Sequence, residues 1–425
     1  MSINRRGLLA AGLGLGAVAG LTACGVGGQQ QVAQSGGGEL RMTWWGGDSE
    51  GKALNAALDA YQEQASVTVK RESLPWDGYW DKLATQTAGR NAPDVVMQAG
   101  SQIPDYAGRQ ALTDLNGVDG LDPTVVDEGL QTFGAVEDKL FGVVAAANAM
   151  SLVTNPSLVE KAKVSVPEGE YDWQELGELA NRVHQELGDD VWGMGDAGGD
   201  LISLILRVRA GGKEFYTDDG KINIAPDELT AWLEMWHKLR ESGGAPPPDV
   251  TSEGQGDMAN SPFVRQRTAF AFGWTQDYVS MASLMDQPIT IGLPPNSQAN
   301  PGLWMNAASL WSISATSANV AGAGALINHL LTDDAAITTI GLALGTPPTQ
   351  QARDLLTGNM DETQQAATDY MNRVAEQSKP LNRLWPKGFA ELRSLLQEQN
   401  EAIAFKKMSI DDAVTAFFAK AEQDA

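Results

Sequence analysis

The sequence predicts an α/β protein with more than one hydrophobic core. The first hundred residues alternate strands with helical stretches: Glu39–Trp45 alternates like a strand, stops at Gly46-Gly47, and gives way to Leu54, Ala57, Leu58 and Tyr61 at helical spacing. Such alternation builds a mostly parallel sheet flanked by helices. Roughly 385 of the 425 residues remain once an N-terminal leader and tether are set aside, too many for one core and comfortable for two. No repeat period points to a solenoid.

Along the chain, Val67–Arg71 predicts the second strand, Trp80–Ala88 a helix and Pro93–Met97 a short buried strand. Lys139–Val144 and Leu152–Asn155 are the next strands, and Pro156 starts a helix. Asp172 caps a helix over Trp173–Leu187, with Glu175 three residues on completing a capping-box pattern. Leu201–Ala210 and Ala225–Glu241 are helical, and Trp232 and Trp236, at i and i+4 beside Leu233 and Leu239, mark a buried face. Gly243–Pro262, rich in Pro, Gly and Ser, reads as a surface loop. Thr268–Gly273, Ile289–Leu293 and Ser309–Ser314 are strands, while Val320–Leu331 and Asp334–Leu344 are helices capped by Asn319 and Asp333. Beyond Pro347-Pro348 the pattern is almost wholly helical, ending in Ile410–Ala421.

The N-terminus is organised for export. Arg5 and Arg6 precede a short apolar run, Gly7–Leu21, that is padded with Gly and Ala and ends at Leu21-Thr22-Ala23-Cys24. A membrane-spanning helix needs about 20 apolar residues with some bulk, so residues 1–23 read as a signal peptide. Asn4–Leu9 also partly resembles a twin-arginine signal, and an ordinary basic start explains it equally well. Cys24 is the single cysteine, which excludes an internal disulfide. Leu21–Cys24 resembles the bacterial lipobox, which implies that Cys24 is the lipidated first residue of the mature chain. Residues 24–38, rich in Gly, Gln and Ser, form a flexible tether. The net charge is -24, and loss of Arg5 and Arg6 makes it two units more acidic. That charge argues against nucleic acid or an anionic membrane surface as partner, since both require clustered Lys and Arg.

The order of segments resembles the carbohydrate-type (family 1, maltose-binding-protein-like) extracellular solute-binding proteins of ABC importers. The resemblance rests on Trp44-Trp45-Gly46, Pro93–Val96, Leu140–Val143 leading to Val153–Pro156, Asp172–Leu176, Ala269–Trp274, and Ala325–Leu331 followed by Thr332-Asp333. It implies a two-lobed periplasmic-binding-protein-like fold, each lobe a mainly parallel sheet flanked by helices, with ligand in the cleft between them. By the same analogy lobe one takes residues 39–148 plus 306–345, and lobe two takes 149–305 plus 346–425. The chain would cross near Ala147–Thr154, Leu303–Ala308 and Gly345–Thr349. The resemblance further implies a monomer, without cofactor, that is anchored outside the cell membrane through Cys24 and hands a carbohydrate to importer permease subunits.

A sugar offers C–H faces that pack on aromatic rings and hydroxyls that each need a donor and an acceptor. Ligands of α/β sheets sit beyond the carboxyl ends of strands, so residues just after strands are the candidates. These are Trp45 with Asp48, then Gln98, Ser101 and Gln102, then Asn148 near a crossing. Farther on they are Trp192 with Asp196 in a Gly-rich loop, Trp274 with Asp277, and Trp304 with Asn306. Asp277 equally fits a helix cap, and Trp76 and Trp80 stay open between pocket and core. No catalytic or metal-binding set is expected. His184, His237 and His329 lie far apart in predicted helices without metal-ligand spacing, and no nucleophile elbow, phosphate loop or dinucleotide fingerprint is present. Two alternatives stay open at this point: the same fold binding a polyamine, peptide or metal complex, and an envelope lipoprotein with a sensor or scaffold role.

Overall fold

The strands are β1 (Glu39–Trp45), β2 (Thr68–Leu74), β3 (Val95–Gln98), β4 (Ala135–Val136), β5 (Lys139–Leu140), β6 (Val143–Asn148), β7 (Met150–Thr154), β8 (Trp192–Met194), β9 (Thr268–Trp274), β10 (Thr290–Gly292) and β11 (Asn306–Ile313). The computed structural model describes residues 38–424 apart from 168, 189, 255–257, 297–299, 382–384 and 387. The expected signal peptide, Cys24 and its tether lie outside the described residues, as does the side chain of Asp48.

Two larger sheets are built, in the orders β2-β1-β3-β11-β6 and β10-β7-β9-β8. Alternation in β1 sends Leu40, Met42 and Trp44, all fully buried, against the helix Asp48–Ala65 through Leu54, Ala57 and Leu58. Trp45 points to the other face and is only partly buried. The helix Trp173–Leu187 lies on β8 and β9 of the second sheet, and the helix Pro226–Ser242 packs on that helix, the Trp232 ring centroid lying 5.0 Å from that of Trp173 and Trp232 and Trp236 both fully buried. Asp172 and Glu175 make the reciprocal capping bonds that the sequence predicts, both at 2.8 Å. Among the described residues no helix is long and apolar enough to cross a membrane.

The sheets are mixed rather than mainly parallel. β1 runs parallel to β2 and β3, and β8 parallel to β9, but β11 is antiparallel to both β3 and β6, and β7 to both β9 and β10. The reversals follow from the path of the chain: β6 ends at Asn148 in the first sheet and β7 begins at Met150 in the second, so a single residue, Ala149, joins strands of different sheets. Asn306 and Ala307 pair with Asn148 and Ala147 where β11 returns, and Thr346 exchanges backbone bonds of 2.7 and 3.2 Å with Ala147. Three stretches of chain thus lie side by side at one place.

Two other expectations change. The segment Gly243–Pro262 contains the short helix Pro248–Glu253, which Pro248 starts with its preset φ. Trp192-Gly-Met194 is a strand and not part of a loop. Gly193 allows it to lie against the helix Trp173–Leu187, since a Cβ there would sit 2.2 Å from Cα of Ala180.

Candidate functional site

β1 and β3 are neighbours in register, with Thr43 opposite Val96. Two residues on, Trp45 and Gln98 therefore project from the same face at the carboxyl ends of their strands. The Trp45 ring sits in an aromatic cluster, with ring centroids 5.0 Å from Trp76, 5.3 Å from Tyr79 and 5.4 Å from Trp80. The helix Trp76–Ala88 supplies these three rings, and its placement is fixed by Tyr79, whose hydroxyl donates to the Met97 carbonyl at 2.6 Å. Burial pushes the Tyr79 phenol well above its usual range. Trp76, by contrast, is 50% exposed. Sequence reading left Trp76 and Trp80 undecided; their i, i+4 spacing on one helix places both beside Trp45.

Gln98 is fully buried, yet among the described residues neither its amide oxygen nor its amide nitrogen has a hydrogen-bond partner. An unpaired buried amide is costly, so this side chain is the strongest polar signal on that face. Ser101 follows it, partly buried, in the loop before the helix Ile103–Gly108. Gly100 in that loop touches Trp385: a Cβ on Gly100 would lie 3.5 Å from the Trp385 ring and 3.7 Å from Phe133. Trp385 packs on Phe389 at 4.2 Å between centroids. The sequence reading missed Trp385 because it precedes a helix instead of following a strand.

β11 connects this face to the place where the chain crosses between sheets. Gln98 lies opposite Leu310, and Asn306, four residues or about 13 Å along the same strand, lies opposite Asn148. Asn306 Nδ2 donates to Asn148 Oδ1 at 2.8 Å, and Asn306 Oδ1 has no partner among the described residues. Trp274 ends β9 opposite Met150, and the next residue, Thr275, donates its N–H to Ala149 O at 3.1 Å. Asp277 accepts the Trp274 N–H at 2.9 Å, so its carboxylate is engaged as the helix-start acceptor. Burial raises the Asp277 carboxyl above its ordinary value, against the opposite pull of that N–H. The structure therefore brings together Asn148, Trp274, Asp277 and Asn306 at the crossing, and Trp45, Gln98 and Ser101 at the carboxyl ends of β1 and β3.

The other candidates have different surroundings. Trp192 pairs with Thr268, at the opposite end of β9 from Trp274, about 20 Å along the strand; it is 8% exposed and carries the Arg267 guanidinium 4.9 Å from its ring centroid. Asp196 forms a buried ion pair with Arg240 at 2.6 Å and accepts the Gly198 N–H at 2.8 Å. It also borders a polar pocket of about 270 Å³ with Asp200, Thr251, Arg393 and Asn400. Trp304 is 2% exposed and packs beneath Trp385 at 6.2 Å. A wider groove of about 770 Å³ between the helices Trp173–Leu187 and Pro226–Ser242 contains none of the candidate residues.

Comparison with known proteins bears on the fold and the family. A binding protein of Brucella abortus is 26% identical over 232 residues, 52% of this chain and 55% of the relative, so the chain spans about half the length of the curated relatives it matches. Among solved structures, a periplasmic solute-binding protein of Pectobacterium atrosepticum superposes with a TM-score of 0.80 at 24% identity, covering 91% of this chain and 98% of the other. A periplasmic oligogalacturonide-binding protein of Yersinia enterocolitica, in complex with saturated digalacturonic acid, superposes with a TM-score of 0.76 at 21% identity and the same coverage. Both likenesses establish the two-lobed fold. The description "Bacterial extracellular solute-binding protein" matches residues 56–372, and the chain belongs to that family.

Proposed function

We propose that this protein is a lipid-anchored receptor that captures a sugar or oligosaccharide between two lobes by hinge closure and delivers it to an ABC importer. The lobes are residues 39–148 with 306–345, and 149–305 with 346–425, and the hinge is the meeting of β6, β11 and Thr346. Cys24 carries the anchor once residues 1–23 are removed, leaving a monomer tethered by residues 24–38 at the outer face of the cell membrane. No bond is made or broken; the closed form is what the permease subunits recognise.

The observation that carries this reading is the pairing of Trp45 with Gln98. A ring in an aromatic cluster and a buried amide with unused donor and acceptor, side by side, suit the C–H face and the hydroxyls of a sugar. The digalacturonic acid complex of the Yersinia protein supports the solute class. The test is thermal unfolding of the protein against neutral and acidic mono- and oligosaccharides, because a ligand that binds only the native state raises the midpoint by mass action. A rise for one sugar that is abolished in Trp45→Ala is expected. A rise only for polyamines or peptides would replace the sugar reading with another solute.

A further inference from the structure

Arg209, in the helix Leu201–Ala210, is 1% exposed and far from the Trp45 cluster in sequence. All five of its N–H donors find acceptors. Nε donates to Glu214 at 2.9 Å, Nη1 to the carbonyls of Gly302 and Leu303 at 3.1 and 3.3 Å, and Nη2 to those of Lys379 and Pro380 at 3.1 and 3.0 Å. The two pairs of carbonyls belong to separate stretches of chain: 302–303 leads through Trp304 into β11, and 379–380 leads to Trp385.

We infer that Arg209 is a positioning residue that binds the start of β11 and the Trp385 wall into one rigid body, so that rotation at the hinge carries Trp385 toward or away from Gly100. This rests on the cleft reading above. Three further contacts support it. Lys379 N donates to Leu303 O at 3.4 Å, which closes the same junction from the other side. The Arg209 guanidinium lies 5.5 Å from the Trp304 ring centroid, and Trp304 supports Trp385. Gly302, at φ +73°, is pressed so close to the helix that a Cβ would meet Leu206 O at 2.7 Å, so the junction is seated directly on the element that holds Arg209.

The choice of arginine follows from the geometry. A planar fork with five fixed donors meets carbonyls on two strands of chain at once, whereas a lysine ammonium, with three donors at one point, cannot span them. Arg209→Lys keeps the charge and most of the volume while removing the fork. The junction is then closed by the Lys379–Leu303 backbone bond and ring packing alone, and Trp385 loses its fixed distance to the Gly100 loop.

The experiment uses protein labelled with 5-fluorotryptophan, the Trp385 fluorine resonance being assigned by its loss in Trp385→Phe. In Arg209→Lys the Trp385 and Trp304 resonances shift or broaden, those of Trp232 and Trp236 stay in place, and affinity for the sugar found by thermal shift falls at least about tenfold, the equivalent of about 1.4 kcal/mol. An unmoved Trp385 resonance in a folded variant overturns the inference, since loss of stability alone leaves native resonances unchanged. If Arg209→Lys does not fold, Arg209→Gln, which also removes the fork and buries no charge, is read in the same way. Failure of every sugar to bind the unmutated protein defeats the solute reading and still leaves the fluorine spectrum to decide the role of Arg209.

Discussion

At the scale of single residues, Gln98 offers a test of whether a side chain serves the fold or a solute. Its amide is buried without a partner, and such a group burdens the free protein by about 1–3 kcal/mol. Gln98→Met, which keeps the shape and removes the amide, is therefore expected to hold or raise the melting temperature of the free protein while abolishing the solute-induced rise; loss of both together would make Gln98 a structural residue. Asp277 offers a pH test with a definite sign. Its carboxyl is raised by burial, so its contribution to stability is complete below the unfolded value of about 3.9 and is lost as pH rises through the folded one. Asp277→Asn retains an acceptor for the Trp274 N–H. The variant should melt with the unmutated protein in acid and above it near neutrality, and thermal scans across pH 3 to 8 check this. The placement of these candidates was partly legible in advance: strand alternation alone separates buried Trp44 from Trp45, and the carboxyl end of β3 singles out Gln98 and the loop residue Ser101. Trp385 was not legible, because its place against Gly100 depends on a return of the chain that no local pattern encodes.

At the scale of elements, the helices announced themselves through caps and period, as at Asp172 with Glu175 and at Asn319, whose side chain accepts the Gly322 N–H at 3.0 Å. β8 did not. Three residues are too short for alternation to register, and Gly193 within it and Gly195 after it suggest a loop, whereas Gly193 is required by the approach of the helix Trp173–Leu187. That contact makes a sharp prediction. In Gly193→Ala the new methyl falls 2.2 Å from Cα and 2.3 Å from Cβ of Ala180, where backbone and not a flexible side chain must yield. The cost should be at least about 1–3 kcal/mol, the usual range for overpacking, measured as a lower midpoint in urea with unchanged slope. A variant as stable as the parent would mean that β8 and the helix are more loosely joined than the contact implies.

At the scale of the whole molecule, the fold reduces a two-body problem to one junction. β6 passes into β7 through Ala149 alone, β11 returns beside Asn148, and Thr346 pairs with Ala147, so relative motion of the two sheets must be absorbed within a few residues. On the proposed hinge reading, the Gly100 loop and Trp385 are where the two sides meet on closure. A Cβ on Gly100 would lie at ordinary contact distance, 3.5 Å, from the indole, and a phenyl ring adds bulk beyond it. Gly100→Ala should thus bind solute as the parent does. Gly100→Phe should fold, because the loop is only partly buried, yet be held open by collision with Trp385. Small-angle scattering with and without solute distinguishes the cases: the radius of gyration should fall on binding for the parent and for Gly100→Ala, and stay constant for Gly100→Phe together with weaker binding. If Gly100→Phe contracts and binds normally, the two sides do not close through this contact, and the solute must be enclosed elsewhere along the junction.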